Sequence, residues 1–271
     1  MKTIPINARI LRHKPPFLFI SSFSSKEKYQ AEALIDPIPK KYQWLMDHTL
    51  SAICIEFSAQ LFGARYRLEG GDTAKSGYIS KVDEFKWVGS PSHIQRLTVM
   101  LREKRGDFYD FSATYFDVDD NECAYLCATL YISYEKESKH DVLDLNYDAE
   151  ELSDGESLCK VLPSEFPTSS TIVKLNKKCS VYKGHFPGNP ITPGVLLLDV
   201  MSYFSIQQID PNQIFEWELN SVWNVVFHTV TFPNDILEIK SKVLEDQLNF
   251  TTFSVSLFKG KKRCVRAKMK F

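Results

Sequence analysis

The sequence predicts an α+β fold built from two similar units, each with antiparallel strands wrapped around one long apolar helix. Apolar residues cover nearly all sides of the two predicted helices, around 49–66 and 193–209, as expected for a helix enclosed by a sheet. Runs rich in aromatic and β-branched residues follow each helix, which is typical of consecutive strands.

The same order of elements is predicted in both halves of the chain. One strand-like segment precedes each helix and three follow it, over residues 28–35, 93–103, 108–117 and 122–133 in the first half and 170–181, 236–245, 249–260 and 262–271 in the second. The acidic, aperiodic stretch between them predicts a linker over 136–155, which divides the chain into units of 1–135 and 156–271.

Each predicted helix carries one acid among its apolar residues, Glu56 in the first and Asp199 in the second. Phe85 follows Glu56 by 29 residues, and Phe227 follows Asp199 by 28, so the acids occupy matching places in a structural repeat. A buried charge costs several kcal/mol unless it is paired or neutralised. A single such acid has an equally good interpretation as a structural hydrogen-bonding group, but matching acids in both helices favour function.

Composition excludes several classes of protein. The 271 residues are 44% hydrophobic and 25% charged with a net charge of -1, which gives no reason to expect nucleic-acid or membrane-surface binding. We find neither a membrane-spanning run nor a signal-peptide pattern. The six scattered cysteines predict reduced thiols and a cytoplasmic location.

The stretch GHFPGNPITPGVLLLDVM, residues 184–201, combines three chemical groups in a rigid frame. Pro193 suits the first turn of a helix, and Gly194 lets a ligand approach a backbone N–H at the positive end of the helix dipole. His185 precedes them on a loop stiffened by proline and glycine. A lone loop histidine is ordinarily a solvated side chain, but together these groups offer a base, an oxyanion donor and an acid.

These residues resemble a known family. HFPGNPITPGVLLLD (185–199) is similar to the signature of the hotdog-fold 3-hydroxyacyl-[acyl carrier protein] dehydratases, and FHTVTFPNDILEIKSKV (227–243) resembles the strand segment that follows their helix. In the first half, HKPPFLFI (13–20) and IEFSAQ (55–60) are similar to the family's N-terminal His-x-x-Pro-Phe-Leu segment and its Glu-x-x-x-Gln helix motif.

The resemblance implies a tandem double hotdog, similar to a fusion of the two subunits of aryl-polyene-type dehydratases. Two antiparallel sheets would each wrap around one helix, and the two hotdogs would join through edge strands into one continuous sheet, as a pseudo-dimer. In this family each active site takes its histidine from one hotdog and its acid from the other. The implied catalytic set is therefore His185, Gly194 and Glu56, with support from Gln60, Phe186, Gly188 and Pro193.

A second site would need Asp199 with a histidine from the first half. Tyr42 stands where that histidine is expected, and Tyr203 stands where glutamine would hold the acid. His48 is the candidate substitute, so the resemblance implies one complete site and one degenerate site.

The implied reaction is loss of water from a 3-hydroxyacyl thioester held by an acyl carrier protein, in fatty-acid, polyketide or aryl-polyene-type biosynthesis. The reaction calls for no metal or organic cofactor, and we expect no nucleic-acid or membrane partner. Two alternatives stay open: a hotdog acyl-thioesterase and a non-catalytic acyl-carrier-binding module. The length and head-group of the acyl chain, and assembly beyond the pseudo-dimer, are left open.

Overall fold

A computed structural model describes most of both predicted units. Its described residues are 3–6, 10–11, 13–14, 17–25, 27, 30–35, 50–70, 75–88, 94–134, 158–162, 170–186, 188–207, 219–247 and 250–271. The predicted linker, 136–155, lies outside these residues, as do Tyr42 and His48, so the domain boundaries stay predictions.

The first set of elements contains one long helix and seven strands. They are β1 (Thr3–Pro5), β2 (Ser22–Ser25), β3 (Gln30–Leu34), α1 (Leu50–Leu68), β4 (Lys75–Trp87), β5 (Arg96–Arg105), β6 (Phe108–Phe116) and β7 (Glu122–Tyr134). The second set contains β8 (Cys159–Val161), β9 (Ser170–Leu175), the short α2 (Val181–Gly184), α3 (Gly194–Ile206), β10 (Ser221–Phe227), β11 (Ile236–Gln247), β12 (Phe250–Lys259) and β13 (Lys262–Lys270).

All thirteen described strands form one antiparallel sheet in the order β1-β2-β3-β5-β6-β7-β4-β10-β13-β12-β11-β9-β8. The two expected sheets are not separate: β4 pairs with β10, and the sheet continues from one half into the other, as expected of units that join through edge strands. Read outward from that pair, both halves have the same strand order. Each half places the strand that follows its long helix at the junction, and its first strand at the outer edge of the sheet.

The register of the junction relates the halves to each other. Val82 of β4 pairs directly with Val225 of β10. Val225 follows Val82 in sequence by as many residues as Asp199 follows Glu56, so the two valines occupy matching positions in the two halves. Corresponding positions therefore face each other across the junction, as they do when a sheet continues across a twofold axis.

Both long helices lie against the inner face of this sheet and contact each other. Buried residues cover nearly every side of α1 and α3, which confirms that these helices are enclosed. Their bounds, Leu50–Leu68 and Gly194–Ile206, agree with the predicted helices to within three residues. No helix in the described part of the chain combines the length and hydropathy needed to cross a membrane.

The junction strands β4 and β10 were absent from the predicted strands. The inward positions of β4 include Val82 and Phe85, but its ladder with β7 shifts register twice, between Ile79 and Lys81 and between Val82 and Glu84. Each irregularity interrupts the alternation of apolar and polar residues on which strand prediction relies.

The segment before β2 docks onto the other half of the molecule at Gly184, the last residue of α2. Lys14 N–H donates to the Gly184 carbonyl at 2.9 Å, and Phe17 N–H turns back to the Lys14 carbonyl at 2.8 Å. A Cβ on Gly184 would lie 2.7 Å from the Phe17 nitrogen and still closer to the Lys14 oxygen. Only glycine permits this approach of two backbones.

We predict that Gly184→Ala destabilises the protein by about 1–3 kcal/mol, because backbone atoms on both sides of the new methyl group cannot move aside. Gly63→Ala is the matched control, since its Cβ would meet only Leu11 Cδ2 at an ordinary 3.6 Å and alanine favours the helix. Thermal unfolding followed by circular dichroism compares the two variants. Equal midpoints for both variants and the wild type would contradict the docking described here.

Candidate active site

A cavity of about 600 Å³ lies where the two halves meet beside the helices. It is lined by residues from α1, from β4 and β7, from the loop between α2 and α3, and from the segment after β10. Five of the predicted site residues line it together: Glu56, Gln60, His185, Phe186 and Gly194. The structure thus brings together residues that lie far apart in sequence.

His185 is held at the end of α2 by a tight turn. Its Nδ1 lies 2.9 Å from the Ile191 carbonyl oxygen, which can only accept, so Nδ1 carries the proton and Nε2 carries the lone pair. Phe186 has φ +52° and Gly188 has φ +88°, so the turn depends on left-handed conformations at both predicted supporting positions. The Phe186 ring stacks on Tyr78 of the other half, with centroids 5.4 Å apart.

Glu56 is anchored by Gln60 one helical turn later. The Gln60 side-chain oxygen accepts from Phe19 N–H at 3.1 Å, and its amide nitrogen donates to the Phe17 carbonyl at 2.9 Å. These backbone partners determine the orientation of the amide, so its second N–H points to Glu56 Oε1 at 3.0 Å. Oε1 is therefore an acceptor, and a proton on this carboxyl group belongs on Oε2.

A third ionisable residue, His13, lies at the same place and was not among the predicted site residues. Its Nε2 is 3.4 Å from Glu56 Oε1, and its ring centroid is 5.3 Å from that of His185. Neither ring nitrogen makes a hydrogen bond to the described part of the chain. The signal that could have identified it was the HKPPFLFI segment, which brings the His13 ring to the cavity when Lys14 bonds to Gly184.

Burial shifts the pKa values of all three groups toward their neutral forms. It raises the pKa of Glu56 to about 8, against the opposing effect of the Gln60 hydrogen bond. It lowers the pKa of His13 to about 4, with help from the positive charge of Arg67. It lowers the pKa of His185 well below its usual range, and the neighbouring His13 adds to that shift. Near neutral pH the site therefore holds a protonated acid beside two neutral imidazoles.

Gly194 occupies the first position of α3, where its N–H has no acceptor within the helix. A Cβ here would lie 2.8 Å from the Phe227 ring, so the space beside this backbone is taken by an aromatic side chain. Glycine at this position is therefore needed for the packing of Phe227, and the approach of a ligand to its N–H stays a prediction. Pro193 is predicted in the first turn of the helix, but it lies one position earlier, as the N-cap residue.

Asp199 does not line this cavity. It is partly buried on α3, and burial raises its pKa well above the usual range of an aspartate. The pKa of the Cys159 thiol is raised to about 12, mainly by burial and further by the negative charge of Asp199. Because Cys159 begins β8, this strand passes close to the Asp199 carboxyl group. The other half of the predicted second site, His48, lies outside the described residues.

The cavity therefore offers a hydrogen-bonded acid, a base with a fixed tautomer and a helix-end N–H within one shielded volume. Carboxyl and imidazole atoms of Glu56, His13 and His185 all lie within 4.8 Å of one another. Burial shifts the pKa values so that the acid keeps its proton and the base stays neutral. Such a pair is suited to general acid–base catalysis.

Comparison with known proteins also identifies dehydratases as relatives. A family model described as ApeI dehydratase, ApeI-like, matches residues 165–267. The chain is 31% identical over 110 residues to the 3-hydroxyacyl-[acyl-carrier-protein] dehydratase FabZ of Latilactobacillus sakei, which covers 38% of this chain and 74% of that protein. It is 28% identical over 112 residues to the FabZ of Levilactobacillus brevis, covering 40% and 74%.

Two solved structures match this chain over most of its length. An acyl-ACP thioesterase from Bacteroides thetaiotaomicron superimposes with a TM-score of 0.59 at 13% identity, covering 91% of this chain and 99% of that one. A hot dog fold protein of unknown function from Alicyclobacillus acidocaldarius gives 0.50 at 9% identity, covering 92% and 94%. These likenesses show the hotdog fold, and the sequence relatives show the family: this chain belongs to the hotdog-fold 3-hydroxyacyl-[acyl-carrier-protein] dehydratases.

Proposed function

We propose that the protein removes water from 3-hydroxyacyl thioesters to give trans-2-enoyl thioesters. The observation that carries the proposal is the pair formed by Glu56, whose pKa is raised to about 8, and His185, whose burial keeps it neutral, on the walls of one cavity. β-Elimination needs a base at one carbon and an acid at the leaving oxygen, both in those protonation states before reaction.

In the proposed reaction, His185 Nε2 takes the proton from the carbon next to the thioester carbonyl. The electrons move toward the carbonyl oxygen, where the Gly194 N–H at the positive end of α3 stabilises the developing negative charge. The carbon–carbon double bond then forms as the carbon–oxygen bond breaks. Glu56 gives its proton to the departing hydroxyl group, which leaves as water. Proton return from His185 to Glu56 restores the neutral pair.

We further propose that the two halves form a double-hotdog pseudo-dimer with one active site. Support comes from the equal strand order in both halves and from the direct pairing of Val82 with Val225. The active site then takes His185 from the second hotdog and Glu56 from the first. Asp199, at the matching place of α3, lies away from the cavity and is proposed as the remnant of a second site.

An acyl carrier protein is the proposed carrier of the substrate, in fatty-acid, polyketide or aryl-polyene-type biosynthesis. The cavity wall includes His228. The pKa of this histidine is lowered mainly by burial, and the positive charges of Arg266 and Arg263 lower it further. The positive field beside this part of the cavity favours an anionic partner. None of the six cysteines, all of which lie in the described part of the chain, forms a disulfide, which supports the proposed cytoplasmic location.

Thioester hydrolysis is the second candidate, because the thioesterase from Bacteroides thetaiotaomicron shares the fold over nearly the whole chain. Hydrolysis through Glu56 would need an ionised carboxylate that activates water, whereas burial keeps this group protonated. The complete acid–base pair also counts against a module that only binds acyl carriers.

One assay separates these functions. A 3-hydroxyacyl thioester is incubated with wild-type protein and with His185→Ala, and both enoyl product and free thiol are measured. The proposal expects enoyl product without thiol release, and a loss of about 10²–10⁴-fold in the variant. Thiol release without enoyl product would establish the thioesterase, and neither product from the substrates tested would favour the binding module.

Comparison of two matched acid variants tests which acid serves the reaction. We expect Glu56→Gln to abolish turnover because the variant keeps the shape and loses the proton that the leaving group needs. Asp199→Asn should keep most of the rate, since its carboxyl group lies outside the cavity. The measurement is kcat/KM for both variants, with folding checked by circular dichroism. The reverse ranking would place the acid in the second half.

The pH dependence of kcat/KM separates an acid role for Glu56 from a base role. The pKa of Glu56 is raised to about 8, so the active protonated form is complete below that pH and is lost as pH rises through it. We therefore predict a plateau at neutral pH and a fall of about tenfold per pH unit well above the pKa. A rate that rises through pH 8 would mean that the carboxylate is the active form, as hydrolysis requires.

A further inference from the structure

We propose that His13, Glu56 and His185 form a binding site for a zinc-type divalent ion, and that an ion bound there inhibits the enzyme. The binding site itself stands apart from the proposed function. Its inhibitory consequence rests on that function, because the ion would occupy the groups proposed as acid and base.

The donor atoms have the types and separations that such an ion requires. Two imidazole nitrogens and one carboxylate oxygen are common ligands of Zn²⁺ in sites that keep a fourth position open. His13 Nε2 and Glu56 Oε1 are 3.4 Å apart, which is the edge of a tetrahedron with ligand distances of about 2.1 Å. All three donors lie within 4.8 Å of one another, so the longest separation closes by a shift of about 1.4 Å.

Two of the three donor residues are already oriented by hydrogen bonds of the kind that usually orient metal ligands. A histidine that binds a metal commonly donates its other N–H to a carbonyl, and His185 Nδ1 does so to Ile191. The Gln60 amide orients the Glu56 carboxyl group in the same manner. His13 is the adjustable member, because neither of its nitrogens is hydrogen-bonded to the described residues.

Binding of the ion to Glu56 releases the carboxyl proton to solvent, because a carboxylate ligand must be ionised. The ion can reach the three donor atoms, because the cavity wall includes the surface residues Tyr134 and Val230, which are 60% and 45% exposed.

An ion in this position would remove the lone pair of His185 and prevent Glu56 from carrying its proton. The acid and the base would be lost in one binding event. Inhibition should therefore be reversible by a chelator and competitive with the thioester substrate, whose reacting carbons need the same space.

The test measures metal binding on the intact, chelator-treated protein, without reference to turnover. Zn²⁺ affinity is determined by competition with a chromophoric chelator, and Co²⁺ is added to record its visible spectrum. We expect one Zn²⁺ per chain and an intense Co²⁺ band of low coordination number. His13→Gln and Glu56→Gln should each weaken Zn²⁺ binding at least about 100-fold.

His228→Gln is the matched control, since this histidine lines the same cavity outside the proposed ligand set. Wild-type affinity in this variant supports the site. Failure of the wild type to bind stoichiometric Zn²⁺, or equal affinity in wild type, His13→Gln and Glu56→Gln, overturns the proposal, as does loss of binding in His228→Gln. Stoichiometric binding by a protein that lacks dehydratase activity in the metal-free state would support the metal site and refute the proposed function.

Discussion

The antiparallel pairing of β4 with β10 is the constraint on which the rest of the structure depends. It continues one sheet from the first half into the second and places α1 beside α3 on the same inner face. Only because of this pairing does the loop after α2 meet the carboxyl group on α1. The second contact between the halves, from Lys14 to Gly184, then brings the segment with His13 to the same cavity.

Burial at this meeting place determines the chemistry. Glu56 and His185 would both be charged or solvated on an open surface, but here desolvation favours the neutral form of each. The hydrogen bonds oppose these shifts in part, and they also orient the groups: Gln60 leaves Oε2 of the acid for a proton, and Ile191 leaves Nε2 of the base for a lone pair. The same groups supply the donor atoms of the proposed metal site once Glu56 has released its proton. Catalysis and inhibition would thus have one physical origin.

Much of the fold could be predicted because its signals are local. The enclosed helices are apolar on all sides, most strands alternate regularly, and the rigid frame around His185 lies within one short stretch. The junction was harder, since the irregular register of β4 hides its alternation. His13 was missed because its place in the cavity depends on a backbone contact with Gly184, far away in sequence. The packing role of Gly194 could not be predicted for a similar reason: the ring of Phe227, which occupies the space beside it, comes from β10.

The proposed catalysis requires Glu56 to be a neutral acid in the shielded site between the two halves. A pH titration of the side-chain carboxyl carbon of Glu56 tests this directly, by nuclear magnetic resonance in ¹³C-glutamate-labelled protein with Glu56→Gln used to assign the signal. We expect a protonated carboxyl shift at neutral pH and an inflection near pH 8. An inflection near the ordinary glutamate value of about 4.3 would show an ionised carboxylate at neutral pH and rule out Glu56 as the acid.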